Sequence, residues 1–144
     1  MSLFGAINIA GSGVNVEQAW LNTISSNVAN ANDVSGVNQP QYQEQEALVA
    51  PKPSVNSSGI PNLTNYALGD GVQVSAIVTP KPNGVLAYDP SSTLANKQGL
   101  VKEPGISMGT QLGNLVTAQY GYEANASVIS QAKAAYLSVL GIVS

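Results

Sequence analysis

Along the last third of the chain, Met108, Leu112, Leu115, Gln119, Tyr122, Ala126, Ile129, Lys133, Tyr136, Leu140 and Val143 follow one another at alternating steps of four and three, and only Gln119 and Lys133 are polar. That spacing is the seam of a helix built to pair with another helix. No proline follows Pro104 and Ser107 stands where an N-cap would, so the pattern predicts one helix of about 36 residues, roughly 54 Å long. Its remaining faces carry Gly113, Asn114, Thr117, Ala118, Gly121, Ala124, Ala134 and Ala135, and Glu123 and the seam's Lys133 are the only charged side chains of the segment. A solvated helix carries more charge than that.

The same alternation occupies the other end of the chain, through Leu3, Ile7, Ala10, Val14, Glu17, Leu21, Ile24, Val28 and Ala31, with Glu17 the one exception. Two seams at opposite ends predict one antiparallel coiled-coil pair, with everything between them inserted into a helical hairpin. Gly5, Gly11 and Gly13 each cost a helix about 1 kcal/mol relative to Ala, which predicts fraying or disorder before Val14. Trp20, the single tryptophan, lies beside Leu21 and Ile24 and reads as a packing residue. Asn27, Asn30 and Asn32 suit a helix end, and Asp33-Val34-Ser35-Gly36 completes the stop.

All eight prolines fall between Pro40 and Pro104, which marks off a module of a different kind. Ala47-Leu48-Val49 and Gly71 to Val78 read as strands, the second with alternating Val72, Val74 and Ala76, and Val85 to Tyr88 reads as a third. Pro51 to Gly69 reads as a loop whose most flexible point is Asn56 to Gly59. The fold class that follows is α+β, with long terminal helices and a small β-rich, Pro- and Gly-containing middle. The boundaries are residues 1–36, 37–106 and 107–144, together one structural unit.

Composition narrows the function. Charged residues make up 9% of the 144 residues, against about a quarter in an ordinary globular protein. The net charge of −3 and five scattered lysines argue against nucleic acid. The absence of Cys and His removes thiol chemistry, the commonest general base and the commonest metal ligand. Glu44 and Glu46 on one strand face, with Asp70 and Asp89 after turns, are the acids that acid-base catalysis could recruit, and solvated surface acids are the better reading. No catalytic, cofactor or metal site is therefore expected. No apolar run reaches the ~20 residues of a membrane span, and the first positive side chain is Lys52, so a cleaved Sec signal peptide is not expected. A membrane-active helix would need a basic polar face, which these helices lack.

The stretch Ser26-Asn27-Val28-Ala29-Asn30-Ala31 resembles the N-terminal signature of the bacterial flagellar rod and hook proteins, and Tyr122-Glu123-Ala124-Asn125 is similar to their C-terminal one. Gly36 to Tyr42 with Pro40, Gly71 to Val74, Tyr88-Asp89-Pro90 and Gly99 to Pro104 look most like the proximal-rod members of that family. Family members usually carry basic residues just after the Tyr42 position, where this chain has Gln43 and Glu44. The resemblance implies a structural subunit of the rod, the drive shaft crossing the periplasm, exported by the flagellar type III apparatus without a cleaved signal. It implies as partners further copies of the chain and the other rod proteins FlgB, FlgF, FlgG and FliE. The other secreted coiled-coil assembly proteins, including type III secretion components, are the competing reading. On either reading the seam residues Leu3, Ile7, Val14, Leu21, Ile24, Val28, Leu112, Leu115, Tyr122, Ile129, Tyr136 and Leu140 are the candidate assembly interface. Ser26, Asn27, Ala29, Asn30, Tyr122, Glu123, Ala124 and Asn125 are the motif residues to locate.

Overall fold

In the computed structural model, residues 3–53, 70–80 and 84–143 are described, with side chains to residue 141. The expected loop crest at Asn56 to Gly59 and the side chain of Val143 lie outside them. Six elements follow in order: α1 (Leu3–Ala29), β1 (Glu46–Pro51), β2 (Val72–Val78), β3 (Val85–Tyr88), β4 (Leu100–Glu103) and α2 (Met108–Val143). The architecture is α+β, two long helices with two small antiparallel sheets.

Ser107 caps α2 as its position suggests: its hydroxyl accepts from Thr110 N–H at 3.3 Å and its carbonyl takes the Gln111 N–H at 3.0 Å. At the same end of the hairpin α1 stops at the asparagines. The Asn30 side chain donates to the Ser26 carbonyl at 2.8 Å, and tight turns run on through Ala31 and Asp33. Gly5, Gly11 and Gly13 sit inside a continuous helix that begins at Leu3.

The helices run antiparallel, since Phe4 meets Tyr136, Gly13 meets Asn125, Glu17 meets Gly121 and Asn27 meets Gln111. The stripe that does the pairing differs from the one drawn by apolar spacing. Buried and half-buried positions of α2 run through Gln111, Leu115, Ala118, Tyr122, Asn125, Ile129 and Ala132, again at steps of four and three, with Asn114, Gly121 and Ala126 half-buried beside them. Leu115, Tyr122, Ala126 and Ile129 are shared with the expected seam. Gln111, Ala118 and Ala132 take the places assigned to Leu112, Gln119 and Lys133, all of which are exposed. The physical reason is size: small residues let two backbones approach. A Cβ on Gly13 would lie 2.6 Å from Asn125 Oδ1, and one on Gly121 would lie 2.5 Å from Glu17 Oε1. These two glycines are sockets for a side chain of the opposite helix.

α1 is rotated as well because it serves two partners. Ala10, Gly13, Val16, Thr23, Ile24 and Asn27 are its buried residues, while Leu3, Ile7, Val14, Leu21 and Val28 are half-buried. Its second face holds β2. Ser12 Oγ donates to the Ile9 carbonyl at 2.6 Å and accepts from the Val72 N–H at 3.0 Å, so one hydroxyl ties the strand to the helix. Gly71 makes this possible, with φ +108° and no side chain where Ser12 Oγ sits.

β1 pairs with β2 from Glu46↔Val78 to Pro51↔Val72, with a register shift after Leu48. The extra residue is Ser75, whose hydroxyl returns to the Leu48 carbonyl at 3.1 Å. β3 and β4 form a second hairpin from Val85↔Glu103 to Tyr88↔Leu100, and it stands clear of both helices. It is joined to the segment that follows α1 by a two-way backbone bridge at 2.9 Å between Ser35 and Lys102. The strand β4 has no counterpart in the expectations from sequence.

Candidate functional site

The polar groups with the most partners converge where α1 ends and α2 begins. Asn27 is 2% exposed, and its amide is used on every side. Nδ2 donates to the Gln45 carbonyl at 2.9 Å and to Gln111 Oε1 at 3.2 Å; Oδ1 accepts from the Gln45 N–H at 2.9 Å and the Tyr42 hydroxyl at 3.0 Å. The side chain thus pairs with the Gln45 peptide as a neighbouring strand would, extending the hydrogen-bonding edge that leads into β1. Tyr42 OH also lies 2.8 Å from Ser26 Oγ. Gln111, equally buried, passes the network on by donating from Nε2 to Glu44 Oε1 at 2.8 Å. One residue therefore fixes the angle between α1, the lead-in to β1 and the first turn of α2. A buried network satisfied at each member rigidifies and specifies a single arrangement.

The remaining motif residues fall into two groups. Ser26 and Asn30 belong to this junction, whereas Ala29 is exposed. In α2, Tyr122 lies half-buried on the pairing stripe and Asn125 fills the Gly13 socket while donating from Nδ2 to the Gly121 carbonyl at 2.9 Å. Glu123 and Ala124 are exposed. Among the candidate interface residues, Ile24 is 2% exposed and spent inside the subunit. Leu3, Ile7, Val14, Leu21, Val28, Leu115, Tyr122 and Ile129 are half-buried, while Leu112, Tyr136 and Leu140 are exposed.

Glu17, the one polar position of the first seam, faces α2. Its Oε2 is buried with no hydrogen-bond partner against Gly121, and burial raises its carboxyl above the usual glutamate range. Asp89 is shifted the other way, lowered by hydrogen bonds from the Ser91 side chain and backbone, and it is half-buried. The acids that could have suggested catalysis do not converge. Glu44 and Glu46 border a groove of about 700 Å³ walled by Trp20, Ile24, Leu48, Val49 and Asn114. Asp70 lies in a separate depression bounded by Asn8, Lys52 and Pro53, and Asp89 stays in its own turn. Among the described residues no group of three His, Cys, Asp or Glu side chains could hold a metal ion, and no helix is long and apolar enough to cross a membrane.

Comparison with known proteins places this arrangement. A family model described as flagella basal body rod protein matches residues 7–36, the stretch that carries the Gly13 socket and Asn27. The chain is 30% identical to the flagellar basal-body rod protein FlgC of Borreliella burgdorferi, over an alignment covering 99% of this chain and 98% of that protein. The chain belongs to the FlgC family of flagellar basal-body rod proteins. It is also 32% identical to the FlgC of Buchnera aphidicola subsp. Schizaphis graminum, covering 99% and 98% of the two chains. With the FlgC of Escherichia coli O157:H7 it shares 29% identity over 97% of each. Against this family background the junction contains residues that spacing alone did not single out, namely Tyr42, Gln45 and Gln111. The sequence signal for Gln111 is its place one position before the apolar Leu112, and Tyr42 closes the Gly36 to Tyr42 stretch that carries the resemblance.

Proposed function

We propose that this chain is a structural subunit of the proximal flagellar rod that stacks helically with further copies and with the neighbouring rod proteins FlgB, FlgF, FlgG and FliE, and so transmits motor torque. Full-length likeness to FlgC proteins carries the reading. The outer face of α2 supports it: Leu112, Val116 and Tyr120 are exposed on one side of the helix, beside Gly109 and Gly113, which have open space where a Cβ would be. An apolar face of that extent on a subunit is covered in the assembly that uses it. The candidate interface is accordingly centred on Leu112, Tyr136 and Leu140, while Ile24 and the half-buried seam residues hold the two helices of one subunit together as a short coiled coil.

The same reading includes export through the flagellar type III apparatus, with the first residues, Leu3, Phe4 and Ile7 among them, recognised while unfolded and packed onto α2 afterwards. The test is a strain whose only copy of the chain lacks Ser2 to Ala10. Accumulation of the protein in the cytoplasm of non-swimming cells is the expected result. A truncated chain that still reaches the periplasm and restores swimming contradicts it.

A further inference from the structure

The two helices differ in length, 27 residues against 36. Because Phe4 already meets Tyr136, with ring centroids 5.6 Å apart, α2 runs on past the start of α1 by about 10 Å. Leu137 and Leu140 on this overhang are exposed. With Lys133 they occupy positions i, i+4 and i+7, one stripe of the helix, and Lys133 is the only charged side chain between Ala124 and Val143.

At the opposite end of the helix pair, beside Asn27 and Gln111, lies the groove of about 700 Å³. Its apolar wall is Trp20, Ile24, Leu48 and Val49, and its acidic edge is Glu44 and Glu46. Glu46 and Leu48 share one exposed face of β1, about 6–7 Å apart along the strand. Lys133 and Leu137 are about 6 Å apart along α2. A cation followed by leucines on one element thus matches in sign and order an acid followed by apolar residues on the other.

We propose that the α2 overhang of one copy of this chain seats in the groove of a second copy, with Lys133 against Glu46 and Leu137 and Leu140 against Leu48, Val49 and Trp20. The two surfaces lie at opposite ends of the molecule, so the contact is heterologous and adds copies head to tail rather than closing a two-fold dimer. The proposal rests on the reading of the chain as a rod subunit and names the surfaces by which its copies meet.

The test is made in swimming cells on the full-length chain. A photo-reactive benzoylphenylalanine is placed at position 137, basal bodies are purified after irradiation, and the adducts are mapped. The expected product has twice the 14.7 kDa chain mass, with the label in the Glu46–Pro51 peptide. In parallel, Glu46→Lys and Lys133→Glu each reduce swimming several-fold, and the double variant restores it. Adducts only to a different protein overturn the proposal, as does a double variant that swims no better than either single one. In both cases the chain is still present in the basal body and the rod reading stands. A chain absent from purified basal bodies removes the rod reading and the proposal with it.

Discussion

Replacing Asn27 by alanine removes four hydrogen bonds of 2.9–3.2 Å at once. The consequence depends on which partners are compensated. Tyr42 keeps Ser26, and the Gln111 amide keeps Glu44 through Nε2. Left without partners are the N–H and C=O of Gln45 and Oε1 of the fully buried Gln111. A buried polar group left unpaired costs about 1–3 kcal/mol, and Gln45 is only half-buried, so three such groups amount to about 3–5 kcal/mol. Against a total of about 5–15 kcal/mol for a domain, that is a large fraction. Urea unfolding followed by far-ultraviolet circular dichroism measures it directly, through a lower midpoint at an unchanged denaturant slope. Tyr42→Phe, which removes one of the four bonds and the Tyr42–Ser26 bond with it, should cost about 1–2 kcal/mol in the same assay. A loss below about 1 kcal/mol for Asn27→Ala would refute the view that this side chain holds the junction together.

Glu17→Gln should stabilise the chain by about 1 kcal/mol at pH 7, because a half-buried carboxylate whose Oε2 has no hydrogen-bond partner is replaced by a neutral amide. Since burial raises the folded-state carboxyl, its penalty is absent below the ordinary glutamate value and grows as pH rises through the raised one, so the difference between variant and wild type should vanish below about pH 4 in urea midpoints. Gly13→Ala should destabilise, because its Cβ meets Asn125, whereas Gly11→Ala, which meets nothing within 4 Å, should gain about 0.5–1 kcal/mol; thermal melts that rank the two the other way contradict the socket.

Much of the fold is legible in the sequence because its long-range pattern is regular. The two helices, the Ser107 cap and the first three strands follow from spacing, proline placement and alternation. The stripe on which the helices meet does not, since counting apolar residues favours Leu112, while close approach selects Gly13, Gly121, Ala118 and Ala132. β4 is only Leu-Val-Lys-Glu, without alternation, and owes its conformation to pairing with β3 and to the Ser35 bridge. Asn27 reads locally as a helix stop. Its partner Gln111 is 84 residues away, so its role as a hub depends on a contact that local propensity does not encode. Asn30, whose partner is four residues away, behaves as local reasoning expects.

The central claim, that this chain is a helically stacked subunit of the proximal rod, is tested most directly by a cryo-electron microscopy map of the purified basal body with the chain traced in it. The account predicts α1 and α2 as an antiparallel pair within the rod wall, with Leu112, Val116 and Tyr120 covered by neighbouring subunits. A rod whose density is filled entirely by other chains, or one in which that face of α2 lies open to solvent, would contradict it.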